Sequence, residues 1–216
     1  MFKPNAYWQF ITHLGSASLL LPFFGIALIE LWFSHQKSAI FLWILALAIG
    51  VMLTLISKVL FLGWGIGIAS LNFTGISGHA FLATSIIPIV FYSFSGGLQV
   101  KAKNIGFWLG LILSLLVGIS RIVLGMHSWS EVVSGWILGL TVCVFALSVI
   151  KYNEKPYSYL HLTIMVFLIA LGSTTPNYLP THDLETKLAL YLSGHDKPFT
   201  ISILNPSNKQ SQSFLK

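Results

Sequence analysis

Long apolar blocks separated by short polar breaks make up most of this chain. The first runs from about Leu19 to Phe33 and closes on Trp32-Phe33, the kind of aromatic pair that sits at a membrane–water interface. Ala39 to Ser57 is the second, Ala80 to Phe94 the third, Ile105 to Ile119 the fourth and Val132 to Ile150 the fifth, and Leu160 to Leu171 begins a sixth. As helices rising about 1.5 Å per residue, such blocks approach the roughly 30 Å thickness of a bilayer's hydrocarbon. The pattern predicts an all-α, polytopic membrane protein: a six-transmembrane-helix bundle over residues 1–175, then a polar tail, 176–216, with one amphipathic patch at Leu184–Leu192. The first run is too long for the core of a cleavable signal peptide and is expected to stay as a span.

Between the second and third spans the pattern breaks. Lys58 to His79 is rich in glycine and carries hydroxyl and amide side chains. Irregular backbone at membrane depth has to be buried in protein or face water, so this stretch is expected to be re-entrant or interfacial.

Composition agrees with the pattern and narrows the function. Only 8% of residues are charged, against about 25% in an ordinary soluble domain. The net charge of +6 comes from scattered lysines and a single arginine, with no basic patch, so nucleic acid is not an expected partner. The lysines carry topology instead. Lys37, Lys101, Lys103, Lys151 and Lys155 fall in turns on one side of a six-span bundle, which makes that side cytoplasmic. Both termini, the 58–79 stretch and residues 120–131 then face outward, across a bacterial inner membrane. Cys143 lies in mid-span, and no disulfide or cysteine metal motif is expected.

Chemistry gathers on that outer side. Charged groups near lipid cost roughly 2.5–3.5 kcal/mol at a helix centre, so they usually have a partner and a task. Gly75-Ile76-Ser77-Gly78-His79 precedes an apolar helix, whose N-terminus offers free N–H groups to an anion. Arg121 presents a fork of donors suited to phosphate oxygens, and Lys58 adds a point charge. His127 and Glu131 are spaced to share a helix face, where a carboxylate fixes the imidazole tautomer and leaves the other nitrogen as nucleophile or base. His79 is a second imidazole able to protonate a leaving oxygen. His13, His35, His161, His182 and His195 read as ordinary interfacial histidines, and Glu30 as an interfacial carboxylate.

At these residues the sequence resembles the type 2 phosphatidic acid phosphatase family, membrane lipid phosphatases related to the vanadium haloperoxidases. Ser120-Arg121, five residues, His127, three residues and Glu131 match the family's third motif, which ends in aspartate; Ile76-Ser77-Gly78-His79 matches proline–serine–glycine–histidine. Lys58 opens the first motif, but Gly65-Ile66 stand where the family has arginine–proline. The resemblance covers a core of about residues 58–150. It implies a lipid phosphatase with His127 as the nucleophile that becomes phosphohistidine, Glu131 orienting it and His79 as general acid. Water activated by the histidine–glutamate pair would then release phosphate. Lys58, Ser77, Gly78, Ser120 and Arg121 would hold the phosphate. It implies no metal and no cofactor, a bilayer around the protein, and a lipid phosphate as substrate: undecaprenyl diphosphate, phosphatidylglycerophosphate, phosphatidic acid or a lipid A phosphate.

Two departures bear on activity. Glu131 is one methylene longer than aspartate, and the absent arginine removes a charge-assisted phosphate contact, a gap that Asn72 or Thr74 could fill. On sequence alone, arginine placed at 65 is expected to raise phosphate affinity. An impaired homologue that only binds lipid phosphate is one alternative. The other is a haem- or metal-binding membrane protein using His79, His127 and Glu131.

Overall fold

The computed structural model describes residues 4–94, 100–151 and 181–201. Its helices are α1 (Pro4–Leu14), α2 (Ala17–Phe33), α3 (Lys37–Trp64), α4 (Gly78–Phe94), α5 (Val100–Val123), α6 (Trp129–Val149) and α7 (Thr181–Ser193). A short 3-10 turn, Ala69–Leu71, lies between α3 and α4. Among the described residues there is no strand, only an isolated bridge between Ile68 and Phe73.

The bundle is built around α4, which packs on α5, α6 and α2. Its Phe81, Ala83, Ile86 and Ile89 are buried with Trp43 of α3, Val117 of α5 and Cys143 and Ala146 of α6. The exterior is apolar as well: Phe41, Ile49, Met52, Trp108, Ile112, Ile137 and Val144 are exposed. Apolar surface on this scale is at home in lipid and not in water.

Four helical runs are long and apolar enough to cross a membrane: Ala6–Phe33, Lys37–Trp64, Asn104–Val123 and Trp129–Val149, with Gly78–Ser93 a shorter apolar helix. The described residues thus supply four candidate spans and α4 where six spans are expected from the sequence. The expected sixth, Leu160–Leu171, lies outside the described residues. The second span is longer than its pattern suggests. Val59-Leu60-Phe61-Leu62 continue its apolar run, so Lys58 sits within α3 and the irregular stretch is only Gly65–Ser77. The opening residues, polar and aromatic in sequence, form α1, whose Ile11 is buried. Lys37 and Lys58 stand about 32 Å apart along α3 at helical rise, close to the roughly 30 Å hydrocarbon thickness. Lys37 and Lys151 share one end of the bundle, where Gln36 bonds the Lys151 backbone. Glu30 lines a small cavity at that same end with Ser34, Gln36 and Lys151.

Lipid tails are as apolar as leucine, so membrane helices are held by close fit. Gly135 and Gly139 of α6 let that helix press its backbone against α4. A Cβ at Gly139 would stand 2.6 Å from the Phe81 carbonyl oxygen, and one at Gly135 2.8 Å from that of Ser77. This contact fixes the first turn of α4 against the first turns of α6. The site described next depends on that placement.

Gly139→Ala should therefore push two backbones apart and destabilise the bundle by about 1–3 kcal/mol. Gly25 on α2 has nothing within 4 Å of its would-be Cβ, so Gly25→Ala is the matched control and should leave stability unchanged or slightly raised. Thermal unfolding of the purified proteins in detergent checks both.

Candidate active site

The last turn of α5 and the first of α6 are joined by a connection in which each residue has a structural reason. Gly125 adopts a left-handed conformation, φ 67°. The Gly125 N–H donates to the Ile122 carbonyl at 2.9 Å and the Met126 N–H to that of Arg121 at 2.9 Å, the Schellman pattern of a helix end. Arg121 is thereby placed in the final turn of α5, and two residues beyond the glycine the chain reaches His127. Ser128 then caps α6. Its hydroxyl accepts from the Glu131 N–H, and Glu131 reaches back to the Ser128 N–H at 3.1 Å, closing a capping box.

Glu131 is the most heavily bonded side chain of the site and is almost wholly buried. One carboxylate oxygen, Oε2, pairs with His127 Nδ1 at 2.8 Å and accepts from the Ser128 N–H. The other, Oε1, accepts from the Thr74 N–H at 2.8 Å and from the Thr74 hydroxyl. A capping box favours glutamate over aspartate at this position because the longer side chain can turn back to the cap. The extra methylene is used by the capping geometry. With Nδ1–H given to the carboxylate, Nε2 is the ring nitrogen of His127 left for chemistry.

The irregular segment 65–77 is laced to the start of α6. Ser130 Oγ donates to the Leu71 carbonyl at 2.8 Å, Thr74 holds Glu131, and the Ser77 N–H donates to the Glu131 carbonyl at 3.0 Å. Thr74 therefore anchors the carboxylate and does not stand in for a phosphate ligand. Gly78-His79 follow at the N-terminus of α4. The charges of Arg121 and Lys58 act on His79, as do the imidazoles of His127 and His13. His79, His127, Arg121 and Lys58 are thus brought to one end of the bundle.

The phosphate-binding candidates divide by what they already bond. The Ser77 hydroxyl and Arg121 Nε are buried with no hydrogen-bond partner in the protein, which calls for an explanation in a native fold. Arg121 Nη1 donates to the Thr12 hydroxyl of α1 at 3.1 Å. Ser120 is fully buried and gives its proton to the Val117 carbonyl at 2.6 Å, so its hydroxyl serves α5. Lys58 is not free either: its Nζ pairs with Glu185 of α7, at 2.8 Å and 3.0 Å to the two oxygens. Its stem lies against Gly75, where a Cβ would come within 2.8 Å of Lys58 Cγ.

The missing arginine has a structural reason too. Gly65 ends α3 in a left-handed conformation, φ 70°, and a Cβ there would meet the Phe199 ring at 2.8 Å. The Phe199 N–H donates to the Leu62 carbonyl at 2.9 Å, and His195 Nδ1 bonds the Gly63 carbonyl at 2.8 Å. The stretch that reads as a tail without a role is docked where the family's arginine–proline would lie. Sequence reasoning missed Thr12, Ser128, Glu185 and Phe199, and offered Thr74 as a phosphate contact where it instead bonds Glu131. Ser128 was open to discovery, because serine three residues before Glu131 is a capping-box signature. His195, which read as interfacial, bonds the Gly63 carbonyl of α3.

Among the described residues no group of three or more His, Cys, Asp and Glu is arranged to hold a metal ion. The lone pairs of Glu131 already face four donors, which disfavours a metal-ligand reading of that residue.

Comparison with known proteins agrees with the geometry. The chain is 33% identical over 202 residues to an uncharacterised 22.5 kDa protein in the cps region of Klebsiella pneumoniae, spanning 89% of this chain and 95% of that one. It is 30% identical over 136 residues to phosphatidylglycerophosphatase B of Bacillus subtilis, spanning 60% of this chain and 67% of that one. No solved structure matches. Residues 68–155, which hold both histidines, Arg121 and Glu131, match the model of the PAP2 superfamily, and the chain belongs to that superfamily.

Proposed function

We propose that this protein is a lipid phosphatase that works through a phosphohistidine on His127, without a metal, at the outer face of a bacterial inner membrane. The observation that carries the reading is the His127–Glu131 pair: an imidazole held at Nδ1 by a buried, fully bonded carboxylate is a nucleophile set in one tautomer. The substrate is a phosphomonoester or diphosphate of a lipid. Phosphatidylglycerophosphate, named in the Bacillus subtilis relative, is a candidate, as are phosphatidic acid, undecaprenyl diphosphate and lipid A phosphates.

The steps follow from the residues. Arg121, the Ser77 hydroxyl, the N–H groups at the start of α4 and Lys58 hold the phosphoryl oxygens. His127 Nε2 attacks phosphorus; the P–O bond to the lipid breaks, and its electron pair stays on the leaving oxygen, which takes a proton from His79. The negative charge of the bound phosphate favours the protonated imidazole this step requires. Glu131 stabilises the positive charge that develops on His127. Water then attacks phosphorus and the P–N bond breaks. In that step His127 has no nitrogen to act as base, since one carries phosphate and the other bonds Glu131. The base is therefore the now neutral His79, which replaces the histidine–glutamate pair expected from sequence. The positive-inside pattern supports the orientation, with Lys37 and Lys151 at the end remote from His79 and His127.

Phosphate release from a panel of these lipids, with chelator present, tests the reading. His127→Ala should lose at least about 10³-fold in kcat while unfolding at the wild-type temperature. Retained activity would remove the nucleophile assignment. Glu131→Gln replaces an oxygen facing two donors by an amide that is itself a donor. It should lower stability by about 2 kcal/mol or more and lower kcat as well. Gly65→Arg should lower stability without raising phosphate affinity, because Phe199 occupies the space; a gain in affinity, read from phosphate inhibition, would contradict the docked position of the C-terminal segment.

A further inference from the structure

We infer that Glu185, on α7, is a specificity-determining residue that turns the site toward lipid phosphomonoesters and away from lipid diphosphates. The inference rests on the phosphatase reading and deepens it. Lys58 is one of the cations that act on His79, and both oxygens of the Glu185 carboxylate sit on its Nζ. Whatever oxygen Lys58 holds by a hydrogen bond therefore lies within about 6 Å of a carboxylate. Arginine is absent from position 65, so the permanent cations acting on His79 are Lys58 and Arg121, and Glu185 offsets one of them. A single phosphoryl group fits that balance. A second phosphoryl brings further negative charge toward the carboxylate with no cation added to receive it.

Glu185 is held in place by its surroundings. Gly63 lets α7 approach closely, since a Cβ there would stand 3.1 Å from the Ala189 carbonyl, and Ala189 is fully buried. The chain beyond α7 is pinned to α3 through His195 and the Phe199 N–H. The pair itself is only partly exposed, with side-chain exposures of 20% for Lys58 and 14% for Glu185, so solvent screens it incompletely. The second phosphoryl lies one P–O–P link beyond the first, and like charges about 9 Å apart at a partly screened site are expected to shift preference by about 10-fold.

The test compares kcat/KM for phosphatidic acid and for undecaprenyl diphosphate in wild type, Glu185→Gln and Glu185→Asp. Taking the ratio of the substrates within one preparation removes differences in the amount of folded protein. Wild type should favour the monoester by about 10-fold, Glu185→Gln should compress that ratio toward unity, and Glu185→Asp should retain it. A wild-type preference for the diphosphate, or a ratio unchanged in Glu185→Gln, overturns the inference. An unchanged ratio with both rates lowered would show that Glu185 only positions Lys58. Wild type acting on neither lipid would sink the phosphatase reading itself. If Glu185→Gln is inactive on both, inhibition of the wild type decides. Pyrophosphate should inhibit more weakly than inorganic phosphate, and equal or stronger inhibition overturns the inference.

Discussion

A buried carboxylate must be bonded at both oxygens, and the site is arranged around meeting that demand at Glu131. Hydrogen bonds to charged groups contribute roughly 1.5–3 kcal/mol each, while an unsatisfied buried charge is far more costly. The partners come from distinct pieces of chain: Thr74 from the irregular segment, Ser128 from the helix cap, His127 from the connection after α5. Satisfying one side chain thus fixes the loop, the cap and the nucleophile at once. The Glu131 backbone carbonyl adds the Ser77 N–H and so ties in the segment leading to His79. The arrangement that stabilises the fold here is also the one that sets the tautomer of His127.

Close helix packing supplies the other half. Gly135 and Gly139 bring α6 onto α4, so the two histidines approach from neighbouring helix starts. α5 brings Arg121 to the same end, where Thr12 of α1 receives one of its donors. The region matching the PAP2 superfamily, 68–155, includes this core but neither Lys58 nor α7. The Lys58–Glu185 pair and the Phe199 contact lie outside it.

What could be read from the sequence follows sequence separation. Arg121, His127 and Glu131 share a helix end, a turn and a helix start, so their spacing alone encodes their geometry. The all-helical, membrane-type fold was equally legible from apolar blocks that have few alternatives in water. Helix ends were less so: Lys58 looked like the close of a span because it is charged, yet the apolar residues after it carry α3 on to Trp64. The pairing of Lys58 with Glu185, 127 residues away, has no local signature. Nor does Phe199 over Gly65, which made the glycine look like a lost function when its Cβ position is occupied by a ring. Thr74 was noticed for its hydroxyl, but whether that hydroxyl meets phosphate or Glu131 is decided by tertiary packing.

The central claim is that phosphate passes through His127, and the stereochemical course at phosphorus tests it most directly. The measurement would follow an isotopically chiral lipid phosphate, with an alcohol as acceptor, through turnover by the purified wild-type protein. Two successive in-line displacements, first by His127 and then by the acceptor, predict retention of configuration. Inversion would mean a single displacement with no enzyme-bound intermediate, and would contradict the role assigned to His127 and its carboxylate.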